Sequence, residues 1–140
     1  MISELAPIVL LLKRGVRPGE LLILEEPESH LHPQAQVLLA DALYELSRTG
    51  VNVILTTHSE FFVAQLSNSI RKSAMEGAEK HENDQYGAFW VQNQEDGSRL
   101  VKLAANPEIG IPDDSFAEVS EWLYEQQFSL QRALEKSASE

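Results

Sequence analysis

The stretch Leu21-Leu22-Ile23-Leu24-Glu25-Glu26-Pro27-Glu28-Ser29-His30-Leu31-His32-Pro33 joins an apolar run to a dense set of carboxylates and imidazoles. A strand that ends in two adjacent carboxylates presents them at the C-terminal edge of a parallel sheet, where open α/β folds bind ligands. At a phosphoryl-transfer centre one carboxylate can hold the Mg2+ shell while its neighbour orients or deprotonates the attacking water. Thirty-two residues beyond Glu26, a second apolar run ends in Thr56-Thr57-His58-Ser59. If the two runs are neighbouring parallel strands, His58 arrives at the same edge as Glu25 and Glu26. A neutral imidazole there can hydrogen-bond a terminal phosphate or the attacking water.

The elements that must position these groups are legible in the spacing. Leu5, Ile8, Val9 and Leu12 recur at helical intervals, with Gly15 and Pro18-Gly19 as the stop. Leu21–Leu24 reads as a strand buried on both faces. Leu31, Val37, Leu38, Ala42 and Leu46 give a helical stripe that Pro33 starts and Gly50 closes. Val51–Leu55 is a second strand, and two strands joined by a helix of this length imply a right-handed parallel crossover. Ser59 can cap a third helix with Phe62, Val63, Leu66 and Ile70 on its apolar side. Residues 71–85 are polar without a sustained period and read as a loop with up to one frayed turn. Ala88–Val91 and Leu100–Leu103, separated by a segment containing Glu95-Asp96-Gly97, predict a hairpin in which Asp-Gly supplies the positive backbone angle. Ser115 and Glu118 fit a capping box for a last helix whose inner face would carry Phe116, Val119, Leu123, Leu130 and Leu134.

Composition bounds the function classes. A chain of 140 residues with 43% apolar and 24% charged residues is sized for one domain with a buried core. The 22 acidic residues against 11 basic ones repel phosphate backbones over most of the surface, so nucleic-acid binding by this chain alone is disfavoured. Without cysteine there is no disulfide framework and no thiolate metal site. The longest apolar run, Ile8–Leu12, is far too short for a membrane span. The basic pair Lys13-Arg14 follows that run, against the order of a secretory signal, so a cytoplasmic protein is the expectation.

Leu21–Pro27 resembles the Walker B strand of ATPases of the ABC and SMC class, and Thr56–Ser59 resembles their switch-histidine loop. The longer run Glu25-Glu26-Pro27-Glu28 with His30-Leu31-His32-Pro33 and Gln36 is similar to a bacterial AAA-type subgroup with ABC-like heads, related to overcoming-lysogenization-defect proteins. The resemblance implies an α/β fold, the C-terminal lobe of a P-loop NTPase head, with parallel strands, flanking helices and a β-hairpin. It divides a single domain over 1–140 into a core at 3–70, a polar loop at 71–85 and a hairpin with closing helix at 86–138. By position, it implies Glu25 as the Mg2+ ligand, through water and with one methylene more than the Asp of most of the wider class, Glu26 as the hydrolytic carboxylate and His58 as the switch histidine. Ser29, His30 and His32 would lie in the D-loop that meets a second head across the ATP. Ser3, in Ser3-Glu4-Leu5-Ala6-Pro7, would belong to the tail of the signature segment.

One element of such a head is missing from the sequence. A Walker A loop needs lysine directly after glycine, so that backbone amides wrap the phosphates and the ammonium reaches them. The five lysines follow Leu12, Arg71, Glu79, Val101 and Glu135. The expectation is therefore half of an ATP site, completed by a Walker A segment upstream or in trans, with the chain oligomeric and inactive alone.

Blander readings stand beside these. An acidic pair after an apolar strand is weak alone, because strand ends are commonly solvated; Pro27, the His-Leu-His-Pro run and the Thr-His-Ser loop together give it meaning. His30 and His32 with Glu28 could be taken for a metal site, but residues two apart in an extended chain point to opposite sides, and helix entry is the simpler role. Trp90 and Trp122 read as core or partner-facing residues. Two competing functions are a non-catalytic dimerisation module and a small hydrolase holding one cation with Glu25, Glu26, Glu28 and His58.

Overall fold

The computed structural model describes residues 15–76, 86–112 and 114–137. The helix expected over residues 5–12, and Ser3, lie outside them. Strands β1 (Leu21–Glu25) and β2 (Asn52–Thr56) pair in parallel, from Leu21 opposite Asn52 to Glu25 opposite Thr56. Helix α1 (Pro33–Arg48) connects them. Pro33 sits in its first turn, where the missing N–H would have had no intrahelical acceptor. His32 is the N-cap, its Nδ1 accepting from Gln34 N at 3.4 Å. The helix closes through Thr49 N to Leu46 O and Gly50 N to Ser47 O, both 3.0 Å, with Gly50 at φ 91°. A positive angle of that size favours glycine.

Helix α2 (Glu60–Met75) packs on α1, and the core forms where both meet one side of the sheet: Leu22, Leu31, Leu39, Ala40, Leu43, Val51 and Phe62, with Leu24, Ala35, Leu46, Val53, Leu55 and Leu66 packed around them. A polar clamp ties the helices, Asp41 Oδ1 accepting from Gln65 Nε2 and Ser69 Oγ at 2.7 Å each.

Three expectations need correction here. The strands are buried on one face only: Leu22 faces the helices, whereas Leu21, Ile23 and Ile54 are exposed on the other side. The period-2 alternation of a strand puts successive residues on opposite faces, and no helix among the described residues covers the second face. The buried stripe of α1 runs through Leu39, Ala40 and Leu43, while Leu38 and Ala42 are exposed. Leu38 and Leu39 are equally apolar, so spacing alone could not choose between them. Helix α2 also continues to Met75, through residues read as loop, because Arg, Lys, Ala and Met are strong helix formers and Ser73 is buried. Residues 77–85 of that loop lie outside the description.

Strands β3 (Phe89–Gln94) and β4 (Gly97–Lys102) form an antiparallel hairpin around a two-residue turn, Glu95-Asp96. The positive angle falls on Gly97, at φ 136°. The following loop folds on itself through Asn106 and docks on α2, Ser67 Oγ accepting from Ile111 N at 3.0 Å. Helix α3 (Asp114–Ser137) begins one residue before Ser115, which therefore is not its cap. Val119, Leu123, Leu130 and Leu134, expected on an inner face, are exposed, as are Trp90 and Trp122; neither tryptophan is a core residue. The helix is amphipathic, but none of the described elements is packed over its apolar side. No helix among the described residues is long and apolar enough to cross a membrane.

Candidate functional site

Parallel pairing carries both strand ends to one edge, and the turn residues do the rest. Glu26 leaves β1 at φ 42°, a left-handed conformation that costs a non-glycine residue about 1–2 kcal/mol. Its N–H donates to Thr56 O at 3.0 Å and lies 3.3 Å from Thr56 Oγ1, so the end of β2 holds the turn at the end of β1. His30 adopts φ 64° a few residues on. Two left-handed non-glycine residues in one short loop store strain of the kind found where geometry is imposed for a purpose.

The side chains converge on Glu26. His58 Nε2 stands 3.5 Å from Glu26 Oε1, and Ser29 Oγ donates to Glu26 Oε2 at 3.1 Å. The imidazole is 89% exposed and the carboxylate 46%, so both face open space. At 3.5 Å the two groups lie close without making a good hydrogen bond, and each keeps an open side toward a ligand or water. Among the described residues, no lysine or arginine forms an ion pair with Glu25 or Glu26. The edge is therefore acidic, and polyphosphate would meet repulsion there unless cationic groups came from elsewhere.

Glu25 is the last residue of β1, on the same open face as Leu21 and Ile23, and its carboxylate is exposed. A hard cation that keeps most of its water and takes one protein carboxylate together with phosphate oxygens fits such a group, since Mg2+ is seldom caged by protein alone. His30 is exposed, and His32 serves the helix cap. The structure thus brings together Glu26, His58 and Ser29, while His30 and His32 take other positions and Ser3 is outside the description. Among the described residues no three His, Asp or Glu side chains are arranged to hold a metal ion.

Glu28 and Thr57 were missed by the sequence reading as partners. Glu28 is only 4% exposed, turned inward, and accepts from Thr57 Oγ1 and from His58 N, the latter at 3.3 Å. Gln36 adds a second tie, Nε2 donating to Leu31 O at 2.9 Å while Oε1 accepts from Ser59 Oγ. Ser59 Oγ accepts in turn from Phe62 N at 3.1 Å, the cap of α2. A carboxylate among turn residues reads as solvated, and only the tertiary approach of Thr57 and the His58 amide gives it partners.

Comparison with known proteins bears on this geometry. Residues 3–64 match the family described as "AAA domain, putative AbiEii toxin, Type IV TA system". Over 97 residues, 69% of this chain, the sequence is 30% identical to the ABC transporter F family member 2 of Arabidopsis thaliana. The fold superposes with a TM-score of 0.54, at 14% identity and over 85% of this chain, on a chain solved in work on "ATP-driven dimerization and DNA stimulated activation of SMC ATPases". The aligned region spans 14% of the length of the plant protein and 57% of the solved chain. A local sequence match, a curated relative and a shared fold point the same way: this chain is similar in sequence to an AAA domain family and to an ABC-type protein, and in fold to an SMC ATPase.

Proposed function

We propose that this chain supplies the hydrolytic half of a composite ATP site. The observation that carries the reading is the convergence of Glu26, His58 and Ser29 at one sheet edge, with Glu26 Oε1 3.5 Å from the imidazole. MgATP would bring to that edge an electrophilic γ-phosphoryl group and a metal that offsets the charge of the phosphates and of Glu25. Glu26 orients the attacking water and accepts its proton. Ser29 donates to the other carboxylate oxygen and so fixes the direction in which the free oxygen points. His58 hydrogen-bonds the water or a terminal phosphate oxygen. Glu25 would help to hold that metal, through water.

The phosphate grip comes from a Walker A-bearing segment, upstream or in trans, because no lysine in these 140 residues directly follows glycine. Ser29–His32 is the segment that meets a second head across the nucleotide, and Ser3 contributes from the signature tail. Mixing this chain with a Walker A-bearing segment and measuring Mg2+-dependent ATP hydrolysis tests the proposal. Turnover in the mixture, with none from either part alone, supports it; equal turnover by this chain alone rules out the division of labour.

A second reading, a dimerisation module without turnover, is favoured by the exposed apolar face at Leu21, Ile23 and Ile54. It expects association that is indifferent to nucleotide and to Glu26→Gln. Sedimentation of the chain with and without MgATP and the Walker A-bearing segment separates the two readings.

A further inference from the structure

The exposed imidazole of His58 has little around it to hold its place, so its position depends on the backbone beneath it. That backbone leaves β2 at Thr56 and enters α2 at Glu60, a span of three residues. Glu28 grips all three. Its Oε1 accepts from the Thr57 hydroxyl and from the His58 amide, and the Thr57 hydroxyl oxygen accepts from Ser59 N at 3.0 Å. One buried oxygen therefore orders Thr57, His58 and, through Thr57, Ser59.

Stability alone is a poor reason for a carboxylate here. Burial of an acidic group is costly, and Glu28 Oε2 is buried with no hydrogen-bond partner among the described residues. What the group offers is a rigid acceptor able to take two donors at one oxygen. Glu28 also belongs to the loop that carries Glu26 and Ser29, so the same side chain sets the spacing between the two halves of the site.

We propose that Glu28 is a positioning residue, which by holding the Thr57–Ser59 backbone keeps His58 opposite Glu26. The functional meaning rests on the ATPase reading above; the tie itself does not. It is tested by amide hydrogen exchange, read by NMR on the 140-residue chain, in Glu28→Ala, Glu28→Gln and Thr57→Val. In Glu28→Ala the His58 amide should exchange at least about tenfold faster, the factor expected when a hydrogen bond to a charged acceptor is lost, while Leu43 and Ile70 stay within about twofold. Glu28→Gln keeps an acceptor oxygen, so His58 should remain within about threefold of the parent. Thr57→Val should release Ser59 while His58 stays protected. An unchanged His58 amide in Glu28→Ala with a protected core overturns the proposal, as does a Gln variant that behaves like Ala. If Glu28→Ala loses its core protection, the other two variants decide, and protection of Ser59 in Thr57→Val overturns the relay.

The functional arm uses the head completed with a Walker A-bearing segment. There Glu28→Ala should lower kcat by at least about tenfold with KM for ATP held within about threefold, and Glu28→Gln should restore most of it. A fall in kcat that Gln does not rescue overturns positioning. Amide release with hydrolysis indifferent to His58→Ala leaves the tie standing and removes the ATPase role of His58, so the two failures are distinguishable.

Discussion

Ser59 performs two tasks that substitution can separate. Its hydroxyl oxygen caps α2 by accepting from Phe62 N at 3.1 Å, and its proton goes to Gln36 Oε1, linking the entrance of α2 to α1. Ser59→Ala removes both. Loss of the cap costs about 1 kcal/mol, and loss of a neutral hydrogen bond to a half-buried partner adds about 0.5 kcal/mol, because water can replace the donor on Gln36. The expected total is about 1–2 kcal/mol. Ser59→Asp keeps a capping acceptor and gains from the helix dipole, but sets two acceptors face to face; Gln36 resists flipping because its Nε2 is engaged with Leu31 O at 2.9 Å. Its expected cost is about 0.5–1 kcal/mol, smaller than that of alanine. Urea unfolding with an unchanged slope measures both. Values within about 0.3 kcal/mol of the parent for both variants, or a larger loss for Asp than for Ala, would refute this division of the hydroxyl's work.

Three further outcomes follow from packing and backbone geometry. Phe62 is 0% exposed and the largest fully buried side chain among the described residues, so Phe62→Ala should cost about 3–5 kcal/mol in urea unfolding. Gly110 has φ 76°, and a Cβ there would fall 1.9 Å from Ser67 Oγ; Gly110→Ala should therefore release the loop from α2, seen as faster amide exchange at Ile111 with the α1–α2 core unchanged. His30 is exposed at φ 64°, so His30→Gly should raise stability by up to about 1 kcal/mol, whereas His30→Val should lower it by a similar amount.

The site was legible in the sequence because its logic is topological. Two apolar runs joined by one helix form neighbouring parallel strands, and residues just past their ends must then share an edge; the contact between Glu26 and His58 follows from chain order. Capping was equally local, and Ser59, Pro33 and Gly50 stand where turn chemistry puts them. The strand faces were not legible, since an apolar run such as Leu21–Leu24 does not say whether one layer of helix covers it or two. Glu28 was illegible for a related reason. Its neighbours Glu25 and Glu26 are exposed carboxylates of the same type, and only the tertiary approach of Thr57 and the His58 amide turns the third one inward. The apolar positions of α3 fit a helix, but the period of a helix does not reveal whether anything packs against it.

The role of Glu26 as hydrolytic carboxylate is tested most directly by MgATP turnover in the completed head, this chain joined to a Walker A-bearing segment, comparing Glu26→Gln with the parent. Glutamine preserves the size of the side chain and an acceptor for Ser29 but cannot take a proton from water. Turnover should fall by about 10²–10⁴-fold while affinity for MgATP stays within about threefold. Turnover that survives the substitution, with nucleotide still bound, would contradict the assignment.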